Sequence, residues 1–198
     1  EGRTTFQTRV VIGKNVEDQR SPEFSDQMEY MVINPSWGVP RSIIVKEYLP
    51  LLQQNPNAVG HLQVIDGRGR VVSRGSVNFA AYNARTFPFA LRQPPSDGNA
   101  LGKVKFMFPN TYNIYLHDTP SKSLFDQDQR TFSSGCIRVQ KALELAELVL
   151  DDPARWNQQT LAAVVATQAT QTVNLARPLP VLLLYWTAQP LPDGLLMF

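Results

Sequence analysis

The chain has few of the residues that hold a fold together through covalent bonds or metal ions. Among its 198 residues are a single cysteine and two histidines. A lone cysteine excludes an internal disulfide and leaves the redox compartment undecided. Because these three residues are widely separated in sequence, they also make a poor zinc site, and we predict no metal and no other cofactor.

Long apolar runs and a strong charge imbalance are missing as well. Residues 181–186 are apolar, but the run is far too short to cross a membrane. The chain begins at Glu1 with neither Met nor a signal-peptide pattern, so we expect a trimmed fragment in which any membrane contact depends on upstream segments. The formal net charge of +2 is too small to argue for a nucleic-acid partner.

What the chain does have is the composition of an ordinary globular protein, 43% hydrophobic and 10% aromatic. Its length suits one domain over residues 1–198, or one domain with a sizeable insertion. Residues 73–98 show weak periodicity and several aromatic side chains, which indicates an insertion whose ends return to the main body. Farther along, Asp151 or Asp152 followed by Pro153 predicts the start of a helix.

The candidate chemistry lies in two short stretches, residues 115–120 and 133–139. Polar and apolar residues alternate before the first of them as in a β-strand, which predicts that Tyr115 and His117 share one face. Pro120 then stops the strand. A histidine at the end of a strand is well placed to act on a neighbouring group.

Cys136 lies in the second stretch, just before a helical pattern. The apolar positions of that pattern are Val139, Leu143, Ala146 and Leu150. We therefore predict Cys136 at a helix N-terminus, where unpaired backbone N–H groups and the helix dipole favour a thiolate over a thiol. Arg138 adds a fixed positive charge two residues beyond the sulfur.

A nucleophilic cysteine needs a base, a group that orients the base, and donors for an oxyanion. His117 can act as the base, and Asp118 can orient it through either its side chain or its backbone carbonyl. Gly135 lets the backbone turn sharply, so the N–H groups of Gly135 and Cys136 can point at a developing negative charge. The alternative is a buried apolar cysteine and a structural histidine. The glycine, the arginine and the predicted helix start together favour catalysis.

The same residues resemble a known family. His117, a gap of sixteen residues, and Ser134-Gly135-Cys136-Ile137-Arg138 resemble the signature of the L,D-transpeptidase catalytic domain, the YkuD-like family. That signature usually has a second histidine where this chain has Ser134. The pattern Ser-Ser-Gly-Cys-apolar-Arg-Val resembles the larger enzymes of Gram-negative bacteria, which share this departure. Residues 31–43 and 99–108 resemble further stretches of that branch.

The resemblance implies a mostly β, sandwich-like catalytic fold with a few helices, in which residues 50–92 form an inserted capping subdomain. It implies a periplasmic cysteine acyltransferase with peptidoglycan stem tetrapeptides as donor and acceptor. Cys136 would attack the bond between meso-diaminopimelate and the terminal D-Ala. The thioester would then pass to the amine of a second diaminopimelate, which gives a 3→3 cross-link. Carbapenem antibiotics would acylate the same cysteine.

The resemblance also implies that a small set of residues surrounds the acyl site and its entrance and binds substrate: Tyr115, Ser134, Arg138 and Trp37. On sequence alone, Trp37 between two prolines is better explained as a rigid turn with an aromatic that covers the core. His61 opens a predicted hairpin, and we interpret it as exposed or structural. The basic residues over 61–105 fit either a solvated surface or a face toward an anionic substrate.

Other functions stay open at this point. Water as acceptor would make the chain an L,D-carboxypeptidase, and a protein lysine would make it an anchoring transpeptidase. A non-catalytic wall-binding module with a vestigial cysteine would show no reaction of Cys136 with a carbapenem. A papain-like peptidase needs its cysteine before its histidine, and the order here is the reverse.

Overall fold

The computed structural model describes residues 3–17, 19–186, 188–190 and 194–197. Strands dominate it, which agrees with the mostly β class that the resemblance implies. In chain order the strands are β1 (Val10–Gly13), β2 (Phe24–Ile33), β3 (Trp37–Gly38), β4 (Gln63–Ile65), β5 (Val71–Val72), β6 (Ala90–Gln93), β7 (Val104–Met107), β8 (Leu116–His117), β9 (Thr131–Ser133), β10 (Ile137–Val139), β11 (Gln171–Leu183), β12 (Gln189–Pro190) and β13 (Leu196–Met197).

The helices are short. The bounds are α1 (Arg41–Ile43), which continues through a π-helical turn (Ile44–Tyr48) into α2 (Leu49–Gln54), then α3 (Ala142–Leu150) and α4 (Gln158–Ala166), with 3-10 turns at Arg74–Ser76, Phe79–Ala81 and Lys122–Asp126. In the part of the chain that the structure describes, every helix falls short of the length and apolar character needed to cross a bilayer.

The main sheet has seven strands in the order β11-β2-β7-β8-β10-β1-β9. β2 runs antiparallel to β11 and to β7, whereas β8 and β10 pair in parallel. The first hydrophobic core contains residues of this sheet together with residues of α3 and α4, and Met31 and Phe106 are fully buried in it. The buried positions of α3 recur every four residues, as an amphipathic helix requires.

The helix predicted to start at Pro153 begins at Gln158 instead. The side chain of Asn157 accepts hydrogen bonds from the backbone N–H groups of Gln159 and Thr160, and Thr160 accepts one in return from the N–H of Asn157. This reciprocal capping satisfies N–H groups that a helix start would otherwise leave unpaired. The helix therefore starts where the cap is complete.

A second sheet has four strands in the order β3-β6-β4-β5. The predicted hairpin is confirmed as the pair β4–β5, in which Val64 lies opposite Val72 and Gly69 takes a φ of 79° in the turn. This sheet has a hydrophobic core of its own, in which Leu52 and Phe79 are at most 1% exposed. The two sheets thus bury two separate cores.

We call residues 37–93 the inserted unit and the other described residues the body. Val39 and Ile44, which precede the insertion predicted at 50–92, pack into the second core rather than the first. The unit leaves the main sheet after β2 and returns to it at β7, two strands that pair with each other. Its role as a cap over a groove is a separate question.

Candidate active site

The parallel pairing of β8 and β10 brings the two chemistry-bearing stretches together. Leu116 lies opposite Ile137, and His117 lies opposite Arg138. Since side chains alternate along a strand, Tyr115 and His117 point to the same face as Cys136 and Arg138, while Leu116 and Ile137 point to the other. The predicted shared face of Tyr115 and His117 is consistent with this register, although only Leu116–His117 is regular strand.

His117 is held in one tautomer. Its side chain is buried, and Nδ1 lies 2.5 Å from the backbone carbonyl oxygen of Asp118. A carbonyl can only accept, so Nδ1 carries the proton and Nε2 keeps its lone pair in the neutral ring. Burial above all, with the positive charges of Arg138 and Lys105, lowers the pKa of His117 to about 4 against the opposing effect of Asp118. The imidazole is therefore neutral at pH 7.

Cys136 does not start a helix. It is followed directly by β10, and α3 begins only at Ala142, so the predicted helix-dipole stabilisation of a thiolate is wrong. Burial raises the pKa of the thiol, and hydrogen bonds from Tyr115 with the charges of Lys105 and Arg138 offset only part of the rise. Its Sγ lies 3.8 Å from the carbonyl oxygen of Asn113. The resting state is thus a thiol beside a neutral imidazole.

The turn before Cys136 requires glycine. Gly135 has a φ of 117°, and a Cβ there would approach the Cδ1 of Ile114 to 3.2 Å. Its N–H donates to the Oγ of Ser133 at 3.2 Å, and that hydroxyl donates to the carbonyl of Cys136 at 2.5 Å. The N–H of Gly135 is therefore engaged inside the turn. Among the described residues, no hydrogen-bond acceptor meets the N–H of Cys136.

Asp118 acts on His117 through its backbone, the second of the two routes left open by the sequence. Its buried carboxylate instead accepts the N–H of Lys103 at 2.8 Å and the ammonium of Lys122 at 2.5 Å. Gly102 lies directly against this carboxylate, so that a Cβ there would meet Oδ2 at 2.4 Å. The side chain anchors the peptide unit whose carbonyl sets the histidine tautomer.

A cavity of about 570 Å³ lies between the body and the inserted unit. Most of the predicted site residues line it, namely Tyr115, His117, Cys136, Ser134, Arg138 and Trp37. Asp118 and Gly135 do not line the cavity, and they support the lining residues through the contacts described above. The Nε of Arg138 is buried without a hydrogen-bond partner among the described residues. A substrate oxygen in the cavity could supply that partner.

Among the lining residues that were not predicted as part of the site, three carry a charged group or an imidazole. Glu47 and His61 come from the inserted unit, and Lys14 follows β1 in the body. His61 is exposed, as expected, but it faces the cavity. Their sequence surroundings contain no motif that could have indicated them.

The basic residues over 61–105 do not form one face. None of them lines the cavity, and several have local partners: Arg70 pairs with Asp66, Arg92 bonds Gln63, and Arg74 caps backbone carbonyls. Lys105 does not line the cavity either, but it lies beside residues that do. It lies opposite His117 in the β7–β8 pair, and its Nζ is 3.8 Å from the ring centroid of Tyr115. The register between β7 and β8, which the sequence does not give, determines this position.

No group of three or more potential metal ligands occurs in the described ranges. The arrangement offers several groups for chemistry: a thiol, a neutral imidazole with a free Nε2, an N–H without an acceptor among the described residues, and two nearby cations. These are the parts of a nucleophilic acyl-transfer site.

Comparison with known proteins agrees with this chemistry. The family model described as the L,D-transpeptidase catalytic domain (YkuD) matches residues 1–169. A protein of Haemophilus influenzae named "Putative L,D-transpeptidase" is 34% identical over 190 residues, which is 95% of this chain and 38% of that protein. The chain thus spans well under half the length of this relative. The match to the family model covers most of the chain and both reactive stretches, so the chain belongs to the YkuD family of L,D-transpeptidase catalytic domains.

Proposed function

We propose that the chain is the catalytic domain of an L,D-transpeptidase that forms 3→3 cross-links between peptidoglycan stem peptides, with Cys136 as nucleophile and His117 as general base. The observation that carries this proposal is the register of β8 and β10, which directs both side chains into one cavity. Membership in the family supports a peptidoglycan substrate, and the residues name the atoms that would act on it.

In the first half-reaction, Sγ of Cys136 attacks the carbonyl carbon between diaminopimelate and D-Ala. Its proton passes to Nε2 of His117, while Nδ1 stays bonded to the Asp118 carbonyl. The imidazolium then protonates the departing amine of D-Ala, and a thioester remains on Cys136. No hydrogen bond joins His117 to Cys136 among the described residues, so substrate binding has to close that contact.

The tetrahedral intermediate carries a negative oxygen that needs donors. Among the described residues the N–H of Cys136 has no acceptor, whereas the N–H of Gly135 would first have to leave Ser133. Arg138 offers its unpartnered Nε to a second substrate oxygen. Tyr115 holds the sulfur from the side through its hydrogen bonds to Cys136.

In the second half-reaction, an amine attacks the thioester carbonyl, and the C–S bond breaks to restore the thiol. His117 removes the proton that the attacking nitrogen loses. We propose the side-chain amine of a second diaminopimelate as the acceptor. Water would give the carboxypeptidase reaction and a protein lysine the anchoring reaction at the same site.

The inserted unit supplies one wall of the cavity through Trp37, Glu47 and His61. We therefore propose it as the capping subdomain that covers bound substrate, and we propose the periplasm as the location, because stem peptides lie there.

Two measurements test the proposal. Intact-protein mass after exposure to a carbapenem should increase by one acyl adduct in the wild type and stay unchanged in Cys136→Ala. Incubation with purified tetrapeptides should then yield a 3→3 dimer, detected by mass spectrometry. A wild-type protein that takes up no adduct and makes neither dimer nor tripeptide would be the wall-binding module instead. Tripeptide without dimer would assign the carboxypeptidase reaction.

A further inference from the structure

The two walls of the cavity differ in charge. The body wall presents two cations, Lys14 and Arg138. Among the described residues that line the cavity, Glu47 supplies the only carboxylate, and it lies on the opposite wall. A cavity that is positive beside the nucleophile and negative across from it can sort the two ends of a charged ligand.

The carboxylate of Glu47 is exposed and has no ion pair or hydrogen bond among the described residues. It lies in the π-helical turn Ile44–Tyr48, and π-turns inside helices often occur at functional sites. Its helix is fixed to the second core by Ile44 and Leu49, both 2% exposed. The carboxylate is thus presented to the cavity from a supported position.

We infer that Glu47 forms a subsite for a cationic amine, the ammonium group of the acceptor peptide. This inference rests on the proposed function and extends it to the choice of acceptor. The ammonium binds at Glu47 and gives one proton to bulk water, and the resulting amine attacks the thioester carbonyl. His117 takes the second proton from the nitrogen and returns it to the departing sulfur, which leaves as the thiol of Cys136. Water has no charge to be held there, so Glu47 favours amine over water.

The test measures binding rather than turnover. Cys136→Ala protein is titrated with a stem tetrapeptide that has a free side-chain amine, and with the same peptide acetylated at that amine. The free amine should bind about fivefold more tightly, the size expected of a solvent-accessible ion pair. Glu47→Gln should abolish this difference. Glu29→Gln, on the exposed face of β2, should leave it intact.

Equal binding of the two peptides, or a difference that survives Glu47→Gln, would overturn the subsite. Neither result would touch the proposed acyl transfer, since adduct formation at Cys136 is measured separately. In the active protein, Glu47→Gln should raise the KM for the acceptor by a similar factor and increase the share of hydrolysed product. An unchanged ratio of dimer to tripeptide would also contradict the inference.

A different observation concerns the sheet itself. The half-buried ammonium of Lys105 lies over the ring of Tyr115 and has neither a carboxylate nor a hydrogen-bond partner among the described residues. A partly buried cation without a counter-ion is costly, and the contact with the face of the Tyr115 ring offsets part of that cost. It acts on both Cys136 and His117 through charge, and Arg138 is the other cation that does so.

We propose that Lys105 is a positioning residue that stabilises negative charge on the sulfur. It does so through space and through Tyr115, whose ring it contacts and whose hydroxyl and N–H meet Sγ. The charged or titratable groups around the sulfur are then Lys105, Arg138, Tyr115 and His117. Because Lys105 has no ion pair or hydrogen bond among the described residues, its removal should leave the fold intact while the thiol becomes less reactive.

Lys105→Met tests this, with Lys141→Met as control, since Lys141 pairs with Glu144 on the surface. Alkylation of Cys136 by iodoacetamide should slow about tenfold at pH 7 in Lys105→Met, because its rate profile moves about one unit to higher pH. Its Tm should stay equal or increase. Lys105→Arg should restore the profile. An unchanged profile, or one that moves only together with a loss of Tm, would rule out the electrostatic role.

Discussion

The two walls of the cavity are built in different ways. The body wall is part of a seven-stranded sheet, and its histidine and aspartate are each 5% exposed and hydrogen-bonded. The inserted unit presents its side chains from short strands and a π-turn, and Glu47 and His61 are exposed. Groups whose relative orientation must be fixed thus lie on the buried wall. Groups that only need to supply charge or contact surface lie on the exposed wall.

The largest effect on the acylation rate should come from crowding the Asp118 carboxylate, which anchors the body wall. Gly102→Ala places a Cβ 2.4 Å from Oδ2 of Asp118 at a φ of 61°. The carboxylate is held by two hydrogen bonds and cannot move aside, so the carbonyl that orients His117 shifts. We expect about a 100-fold loss of acylation rate, as for other misplaced catalytic groups, and about 3 kcal/mol lower stability.

Gly67→Ala is the matched control in the inserted unit, because its Cβ would meet nothing within 4 Å. It should retain wild-type acylation and Tm. Equal losses in the two variants would mean that the walls are not built differently at all. The carbapenem adduct rate and thermal unfolding provide both readouts.

The next effect compares the two cores. Phe79 in the inserted unit and Phe106 in the main sheet are at most 1% exposed. Replacing either by Ala should cost about 4 kcal/mol. Phe79→Ala should raise hydrogen exchange within residues 37–93 and reduce dimer formation more than carbapenem uptake, whereas Phe106→Ala should destabilise the body and reduce both. Exchange that rises equally throughout in both variants would show one cooperative core instead of two.

A smaller effect, on how stability depends on pH, follows from the burial of His117. Above pH 6.5 His117 is neutral in the folded and the unfolded chain alike. Below that pH the unfolded chain binds a proton that the folded chain accepts only near its pKa of about 4. The free energy of unfolding should therefore fall by about 3 kcal/mol between pH 6.5 and 4. His117→Gln should remove this slope, and His61→Gln should keep it.

The same pKa predicts how activity depends on pH. Because the base is neutral down to about pH 4, acylation of Cys136 should not show the decline near pH 6.5 that an ordinary histidine would cause. It should increase at high pH as the thiol, whose pKa is raised, ionises. A stopped-flow profile of carbapenem acylation from pH 4 to 9 checks both the missing decline near pH 6.5 and the increase at high pH. A decline centred near pH 6.5 would contradict the buried neutral base.

The smallest effect should come from Arg74, which donates to the carbonyls of Ala58 and Val59 in the loop before β4. Arg74→Met should cost about 1.5 kcal/mol, because these carbonyls lose a charged donor. The loss should appear as faster exchange around residues 56–62 with unchanged acylation. A change in Cys136 reactivity would show that the inserted unit controls the reactive wall more tightly than its contacts indicate.

Local rules predicted much of the reactive wall. Alternation assigned Tyr115 and His117 to one face, and a glycine before the cysteine indicated the positive φ of Gly135. These local rules failed where pairing with another strand determines the structure of a segment. Residues 137–139 fit the start of a helix by pattern, but pairing with β8 makes them a strand and moves the helix start to Ala142. The prediction that a helix dipole stabilises a thiolate at Cys136 is wrong for the same reason.

The inserted unit was harder to predict for a related reason. Its hairpin has a strong local turn signal, and that prediction is confirmed. Its boundary and its contribution to the cavity depend on which core Val39 and Ile44 join, and both cores accept the same apolar side chains. Glu47 belongs to no motif and becomes meaningful only across a cavity from Arg138.

The parallel pairing of β8 and β10 has a consequence for how this chain could vary. Ser133 is fixed to β1 opposite Gly13, so an extra residue inserted near Asp128 would lengthen the connection without moving the sulfur. A slip of a single residue between β8 and β10 would instead turn the thiol toward the interior. The number of residues between His117 and Cys136 is thus free to change, whereas the register that directs both side chains into the cavity is fixed by two main-chain ladders.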